Sequence, residues 1–185
     1  VTLTTTQASE LSRRVTELDD VRECLALATC NRVELYVASE STTVPEAAII
    51  ELVAAHCGID PLRLREHTHL VHEDEAIAHV FRLAAGLESM VLGEGQVLGQ
   101  LRDALTRAQL EDTIGPELNA IFQQALRAGK RVHTETSIDS FAPSVVTAAL
   151  DQAGAPIESP GARFVIAGAG AMSVLAVVTL LDRGI

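Results

Sequence analysis

The fold depends on one stretch of the chain, Ala26-Leu-Ala-Thr-Cys-Asn-Arg-Val-Glu-Leu-Tyr-Val37. Two short apolar runs, residues 24–28 and 33–37, flank the polar tetrad Thr29-Cys30-Asn31-Arg32. Runs of this length, bounded by polar residues and rich in Leu, Val and Tyr, predict strands. The second run alternates apolar with polar side chains, as expected of a half-buried strand. The tetrad is therefore predicted at a bend between two central strands.

Cys30 in this bend is the first candidate functional group. Arg32 lies two residues away in the sequence, and a nearby cation favours a thiolate over a thiol. The alternative is a small buried core residue, which is the usual state of a free cysteine. The polar neighbours on both sides of Cys30 favour a functional site.

Composition and charge restrict the class of protein. A chain of 185 residues with 48% apolar content is long enough for one good core and part of a second domain. The net charge of −11 argues against a general nucleic-acid-binding surface. Three widely spaced cysteines do not form a disulfide framework, so a reducing, cytoplasmic location is predicted. No apolar run approaches ~20 residues, and no signal peptide is visible. We expect the chain to be a fragment, because it begins without Met.

Hydrophobic periodicity predicts helices over most of the chain, at residues 7–18, 45–57, 73–86, 101–110, 117–132 and 144–150. Thr6 is the predicted N-cap of the first helix, and Gly58 is predicted to end the second, where Cys57 lies on the core face. The core stripe of the third is predicted to comprise Ile77, Val80, Phe81 and Ala84.

Histidines occur at two notable places. His67-Thr-His-Leu-Val-His72 invites a metal-binding interpretation, but a short exposed strand is favoured, and no metal site is predicted. His79 falls on the flank of the predicted core stripe. A histidine in such a place is usually structural, and the functional alternative is an acid or base near Cys30.

Residues 87–100 form a second unusual segment. Gly93, Gly95 and Gly99 interrupt an apolar run, and their density predicts close backbone approach to a ligand or a neighbouring segment. Polar side chains that would line a small pocket are Ser89, Glu94, Gln96 and Gln100. The alternative is a loop entering a helix, with exposed Glu and Gln side chains.

The most basic segment is Arg127-Ala-Gly-Lys-Arg-Val-His133. Phosphate contact and a solvated helix face are equally consistent with its composition, and charge alone does not choose between them.

Residues 163–176 predict the opening of a dinucleotide-binding unit. A buried strand runs into Gly168-x-Gly170, and an apolar helix follows to Leu181. The first glycine allows a tight turn, the second lets pyrophosphate approach, and the helix N-terminus supplies a positive dipole end. Ser173 replaces the third glycine of the pattern. A thiol and a nicotinamide together suit reduction of an activated carboxyl group to an aldehyde, through a thioester.

Three motifs resemble glutamyl-tRNA reductases, in the order in which that family has them. They are Ala28-Thr-Cys-Asn-Arg-Val-Glu-Leu-Tyr36, the run from Gly86 to Gln100, and Gly129-Lys-Arg-Val-His-Thr-Glu-Thr-Ser-Ile138. The resemblance implies NADPH-dependent reduction of glutamyl-tRNA(Glu) to glutamate-1-semialdehyde. That reaction is the first step of 5-aminolevulinate, tetrapyrrole and porphyrin biosynthesis by the C5 pathway. It also implies a homodimer and an association with glutamate-1-semialdehyde aminomutase.

The resemblance assigns roles to residues of this chain. Cys30 matches the nucleophile, and His79 matches a histidine important for activity. Residues matching the substrate pocket are Thr29, Cys30, Asn31, Arg32, Ser89, Glu94, Gly95, Gln96 and Gln100. Residues matching the NADPH phosphate loop are Gly168, Ala169, Gly170, Ala171, Met172 and Ser173. The basic run around Lys130 is a candidate tRNA contact on charge alone. Gly95 departs from the family, in which many members have Pro at this place.

The expected fold class is α/β. We expect a mixed α+β catalytic domain with a small sheet and flanking helices at residues 1–140. A linker helix and the truncated start of a Rossmann-type domain follow at residues 141–185.

Two other functions share some of these features. One is an aldehyde or semialdehyde dehydrogenase acting on a small acyl substrate, which would not require the tRNA body. The other is a nucleotide-binding or redox-sensing module in which Cys30 is only a reactive thiol.

Overall fold

A computed structural model describes residues 3–29, 31–41, 45–89, 96–138, 145–154, 162–168 and 171–184. Its two strands are β1 (Val21–Ala28) and β2 (Val33–Ser39). Its helices are α1 (Thr5–Thr16), α2 (Glu46–Cys57), α3 (Pro61–Glu66), α4 (Glu73–Ala84), α5 (Gln96–Leu110), α6 (Pro116–Glu135), α7 (Val145–Ala153) and α8 (Ala171–Asp182). The predicted α/β class with a small sheet and flanking helices is confirmed.

The two strands form an antiparallel hairpin, as the flanking apolar runs predict. Ala28 pairs with Val33, and the backbone N–H of Thr29 donates to the carbonyl of Arg32 at 2.9 Å. Both strands are longer than predicted, and the register shifts between Val21 and Glu23. Val21 shares the face of Cys24, whereas Glu23 shares the opposite face with Leu25 and Leu27, so the bulge breaks the regular alternation between Val21 and Glu23.

Polar groups of other segments cover the outer edge of β1. The N–H of Cys24 donates to the carbonyl of Thr113 at 2.7 Å. The N–H of Ala26 donates to Ser12 Oγ at 2.9 Å, and Ser12 is itself buried. A free strand edge can pair with a strand of another chain, and these contacts prevent a further strand from pairing with β1.

Apolar clusters cover both faces of the hairpin. Leu25 and Leu27 face a cluster built from α4, α5 and α6, which includes Phe122. Cys24 on the opposite face packs with Leu11 and Val15 of α1, and partly buried residues of α2 adjoin them. The helices therefore form a layer on each side of the sheet, and this arrangement fixes which helices approach the hairpin end.

Several predicted details are wrong. The N-cap of α1 is Thr4 rather than Thr6, because Thr4 and Gln7 form a reciprocal capping box. In α4, Ile77 is 39% exposed and Leu83 is fully buried, so the core stripe is rotated from the predicted one. Residues 67–72 do not form a strand, since no other described strand lies beside them to pair with.

The predicted buried strand at 163–167 is also wrong for the described residues. Val165 is 94% exposed, and the sheet formed by β1 and β2 is the only one in the described ranges. A strand of a parallel sheet needs partner strands on the same sheet, and none is described here. The two helices flanking this segment are present as predicted, and Arg183 Nη2 in the turn after α8 contacts Asp151 Oδ1 of α7 at 2.6 Å.

Cys24 is expected to resist alkylation in the folded chain. Burial raises the pKa of its thiol to about 12, so almost none of it is thiolate near neutral pH. Pulsed labelling with iodoacetamide, read by peptide mass spectrometry, should modify Cys24 only after unfolding in guanidinium. Equal labelling rates in the folded and unfolded chain would contradict its placement in the core.

None of the helices in the described ranges combines the length and the apolar character needed to cross a bilayer.

Candidate active site

The turn between β1 and β2 is held by one threonine side chain. Thr29 Oγ1 accepts hydrogen bonds from the N–H groups of Asn31, at 3.2 Å, and Arg32, at 3.1 Å. A hydroxyl that bonds the backbone two or three residues ahead stabilises a tight turn. Cys30, the predicted nucleophile, lies outside the described residues. The three other members of the predicted tetrad lie together at this end of the hairpin.

Arg32 is anchored at two points and is only partly exposed. Its Nη1 donates to Glu34 Oε1 at 3.0 Å, and its Nη2 donates to the backbone carbonyl of Glu88. A guanidinium carries five N–H donors in a fixed plane. The contacts to Glu34 and Glu88 therefore leave donors that can bind a carboxylate of a ligand.

His79 lies beside Arg32, with Glu34 between them. Its Nε2 is 3.1 Å from Glu34 Oε2, and its Nδ1 is 3.8 Å from Glu88 Oε1. The ring reaches this position because α4 packs against α6, and α6 lies on the sheet face that carries Glu34 and Tyr36. Its place on the flank of the core stripe therefore brings it to the hairpin end, where an acid or base would be useful.

Tyr36 completes the contacts of Glu34. Its hydroxyl donates to Glu34 Oε2, and its ring meets Phe122 edge-on with centroids 4.9 Å apart. Burial, together with the negative charge of Glu34, raises the pKa of Tyr36. The phenol therefore stays protonated and remains a hydrogen-bond donor to the carboxylate.

Glu88 contacts Arg82 as well as Arg32. Arg82 Nε donates to Glu88 Oε1 at 2.6 Å, and this hydrogen bond lowers the pKa of Glu88. A lowered carboxyl pKa means that the contact stabilises the fold at neutral pH and weakens as the pH falls through that pKa. Arg32, Glu34, His79, Arg82 and Glu88 thus form one continuous charged network, hereafter the hairpin network.

The polar residues predicted to line a pocket are only partly described. Ser89 Oγ is buried without a hydrogen-bond partner among the described residues, and its place in a ligand pocket stays a prediction. Gln96 is exposed and Gln100 half-buried in α5. Glu94 and Gly95 lie outside the described residues, as does Gly93. For Gly99 the predicted approach of a neighbouring segment is wrong among the described residues, because no described atom lies within 4 Å of a Cβ added there.

The predicted phosphate loop is described at both of its ends. Gly168 has φ +136°, and an added Cβ would lie 3.1 Å from Ser173 Oγ. Gly168 therefore holds a backbone conformation that favours glycine, and α8 begins at Ala171. A dinucleotide phosphate fits such a place, because the backbone is bare and the helix N-terminus favours an anion. Ala169 and Gly170 lie outside the described residues, as do the side chains of Ala171 and Met172.

Among the described residues, no three His, Cys, Asp or Glu side chains gather closely enough to hold a metal ion. His67, His69 and His72 are exposed, on the segment before α4.

Sequence reasoning missed four members of this site, namely Glu34, Tyr36, Arg82 and Glu88. Glu34 offered a signal, because a carboxylate on a partly buried strand needs a partner. Arg82 and Glu88 offered none, since a charged residue on a helix or in a loop is normally solvated, and Tyr36 offered only its place in the alternation of β2.

The chain matches known proteins along its whole length. The family model described as "Glutamyl-tRNAGlu reductase, N-terminal domain" matches residues 1–136. The glutamyl-tRNA reductase of Streptomyces avermitilis is 43% identical over 188 aligned residues, which cover 100% of this chain and 33% of that protein. The Streptomyces coelicolor glutamyl-tRNA reductase is 46% identical over 167 residues, covering 88% of this chain and 29% of that protein.

A solved structure of another glutamyl-tRNA reductase is also similar to this chain. The glutamyl-tRNA reductase from Methanopyrus kandleri superposes with a TM-score of 0.59 at 31% identity, over 95% of this chain and 41% of that one. The chain therefore spans less than half the length of these relatives. Since the family model covers well over half of its residues, the chain belongs to the glutamyl-tRNA reductase family.

Proposed function

We propose that this chain carries the acyl-transfer site of an enzyme that reduces glutamyl-tRNA(Glu) to glutamate-1-semialdehyde with NADPH. The reaction passes through a thioester on Cys30 and opens 5-aminolevulinate and tetrapyrrole biosynthesis. The proposal takes residues 1–140 as the catalytic domain and 141–185 as the linker helix and first part of the NADPH-binding domain. The names of the relatives support the substrate and the oxidoreductase class.

The observation that carries the proposal is the position of Arg32. It is fixed by Glu34 and by the backbone of Glu88, two residues along the chain from Cys30, and it keeps unused N–H donors. A planar guanidinium binds a carboxylate through two parallel hydrogen bonds. In a glutamyl ester the α-carboxyl group is bonded to the tRNA and is not a free carboxylate. The side-chain carboxylate of the glutamyl group remains free. Arg32 is therefore suited to hold the glutamyl side-chain carboxylate, while Ser89 Oγ offers a further hydrogen bond.

The first half of the reaction needs only residues of this chain and the charged tRNA. The Cys30 thiolate attacks the glutamyl ester carbon, forming a C–S bond. The C–O bond to the terminal ribose of the tRNA then breaks, and the leaving oxygen takes a proton. His79 is the group in the hairpin network that can deliver this proton, because imidazole exchanges protons near neutral pH.

The second half requires the cofactor. NADPH, when bound, supplies the hydride that turns the thioester into the aldehyde. Gly168 to Ser173 would hold its phosphates. Without hydride, water resolves the thioester and releases glutamate, so we expect esterase activity when NADPH is omitted.

A glutamyl adduct on Cys30 is the expected result when the chain is mixed with glutamyl-tRNA without NADPH and quenched in acid. Intact-mass and peptide mass spectrometry would detect it. Cys30→Ser should abolish both the adduct and the release of glutamate. Cys24→Ser and Cys57→Ser are matched controls, because these thiols belong to the core and its border, and burial raises the pKa of each.

Three outcomes would overturn the proposal. The first is a folded chain that forms no adduct and releases no glutamate. The second is acylation by a small glutamyl ester as fast as by glutamyl-tRNA, which would favour a semialdehyde dehydrogenase. Labelling of Cys30 by iodoacetamide that glutamyl-tRNA does not slow would favour a redox-sensing module.

Three properties of the intact protein belong to the same proposal. It would act in the cytoplasm as a homodimer, and it would pass its unstable aldehyde to glutamate-1-semialdehyde aminomutase. The exposed basic face of α6 around Lys130 is the candidate contact with the phosphates of the tRNA.

A further inference from the structure

We propose that Glu34 is the positioning residue of the hairpin network: it sets the tautomer of His79 and holds that ring against Arg32. Its kinetic consequence rests on the function proposed above. Its spectroscopic consequence rests on geometry alone.

Both oxygens of the Glu34 carboxylate are engaged, one with the turn between the strands and the other with α4. Oε1 accepts from Arg32 Nη1 at 3.0 Å, and Oε2 lies 3.1 Å from His79 Nε2. The carboxylate also accepts from the Tyr36 hydroxyl. The Glu34 side chain is only 19% exposed, so water competes weakly for these contacts.

The proton positions follow from what each group can do. An ionised carboxylate only accepts hydrogen bonds, so His79 Nε2 must carry the hydrogen that faces Glu34. When the ring is neutral, Nδ1 is then unprotonated. It lies 3.8 Å from Glu88 Oε1, which is beyond hydrogen-bond distance. Nδ1 is therefore the ring nitrogen left to exchange a proton with a substrate.

A glutamine at position 34 reverses this order. Arg32 has no acceptor, so the amide oxygen of the new side chain must face Arg32. The amide NH₂ then faces His79, whose Nε2 has to accept. Glu34→Gln should consequently convert neutral His79 from the Nε2–H to the Nδ1–H tautomer, with almost no change in side-chain volume. Aspartate at the same position keeps an acceptor-only carboxylate and should keep the Nε2–H tautomer.

The first test is long-range ¹H–¹⁵N NMR of the histidine rings, with His79→Asn used to assign the signals. The pH would be raised until the ring of His79 is neutral. The wild-type chain should show the Nε2–H tautomer, Glu34→Gln the Nδ1–H tautomer, and Glu34→Asp the Nε2–H tautomer. Glu135→Gln is the matched control, because Glu135 pairs with Arg131 in a similar but exposed contact on α6.

The second test is the rate of Cys30 acylation by glutamyl-tRNA. We expect Glu34→Gln to lower kcat by about tenfold to a hundredfold with little change in KM, since small misplacements of reacting groups cost that much. Glu117→Gln is the control, because it removes an exposed carboxylate contact with Arg22 at the other end of β1, so its kcat should stay near the wild-type value. Glu34→Asp should recover part of the loss.

Each result bears on one proposal at a time. If wild-type chain forms the adduct but Glu34→Gln changes neither the tautomer nor kcat, the positioning role is wrong and the proposed function stands. If wild-type chain forms no adduct, the proposed function fails, and the NMR result still decides the role of Glu34. If Glu34→Gln does not fold, the wild-type and Glu34→Asp spectra decide, because an Nδ1–H tautomer in either would contradict the assignment.

Discussion

Gly129→Ala should destabilise the domain by about 3 kcal/mol and lower its melting temperature by roughly 6–12 °C. An added Cβ at Gly129 would lie 2.3 Å from the carbonyl oxygen of Ala84 and 2.9 Å from Leu98 Cδ1. The Ala84 carbonyl belongs to the backbone of α4 and cannot rotate aside, so α4 and α6 would have to move apart. The gain in helix propensity on replacing glycine is only ~1 kcal/mol and does not offset this cost.

Gly99→Ala provides the matched control. It is the same substitution in the neighbouring helix α5, where no described atom lies within 4 Å of the added Cβ. Its effect should be a stabilisation of up to ~1 kcal/mol. Thermal and urea unfolding followed by circular dichroism would measure both variants. If the two substitutions shift the midpoint equally, the close contact between α4 and α6 does not exist in solution.

Gly129→Ala should also slow acylation of Cys30 in molecules that remain folded. His79 and Arg82 lie on α4, one turn or so before the residue that the new methyl group pushes. A displacement of this helix therefore moves His79 and Arg82 relative to Arg32 and Glu34. Gly99→Ala should leave the acylation rate unchanged.

The local structure of this chain is largely predictable from its sequence. The hairpin follows from two apolar runs around a polar tetrad, and most helices follow from their apolar periodicity and their end signals. Gly58, for example, ends α2 in the left-handed conformation with φ +66° that favours glycine. These features depend on residues that are near one another in the chain, which is why the sequence reveals them.

Contacts between distant residues are not predictable in the same way. The apolar stripe predicted for α4 is wrong because Leu83 is buried where α6 approaches α4 closely. That approach depends on Gly129, which lies 46 positions after Leu83 (129 − 83). The segment 163–167 reads as a buried strand from its composition, yet a strand forms only where a partner strand exists. The density of glycines around Gly99 predicts a close backbone approach. Among the described glycines, Gly129 in the basic segment of α6 is the one whose backbone closely approaches another helix.

In the candidate site, too, local features are predictable from the sequence and contacts between distant residues are not. Thr29, Asn31 and Arg32 could be predicted because the turn brings them together within four consecutive residues. The pairing of Glu34 with His79 spans 45 positions, and that of Arg32 with the Glu88 carbonyl spans 56. Periodicity carries no information about such pairs. Only the need of a partly buried carboxylate for partners pointed to them, and it did not identify the partners.

Glu23→Ala should destabilise the fold by about 3 kcal/mol, and Glu23→Gln by about 2 kcal/mol. Glu23 is 4% exposed, and its carboxylate accepts from the N–H groups of Glu117 at 3.0 Å and Leu118 at 2.8 Å. These are orphan donors of the first turn of α6, whose own N-cap residue, Gly115, has no side chain to accept from them. A carboxylate from a distant strand thus replaces the local cap and also favours the positive end of the helix.

Alanine at position 23 leaves the half-buried N–H of Glu117 and the buried N–H of Leu118 without a partner, which accounts for the larger cost. Glutamine supplies one acceptor, but its NH₂ group would face the second N–H donor. Glu117→Gln is the matched control, because it changes the same functional group at the same helix end in an exposed contact with Arg22. That contact is worth less than ~1 kcal/mol. Urea unfolding of the variants should therefore rank Glu23→Ala below Glu23→Gln, and both well below Glu117→Gln. Equal midpoints for Glu23→Gln and Glu117→Gln would mean that the Glu23 carboxylate does not cap α6, and that α6 begins without a side-chain cap.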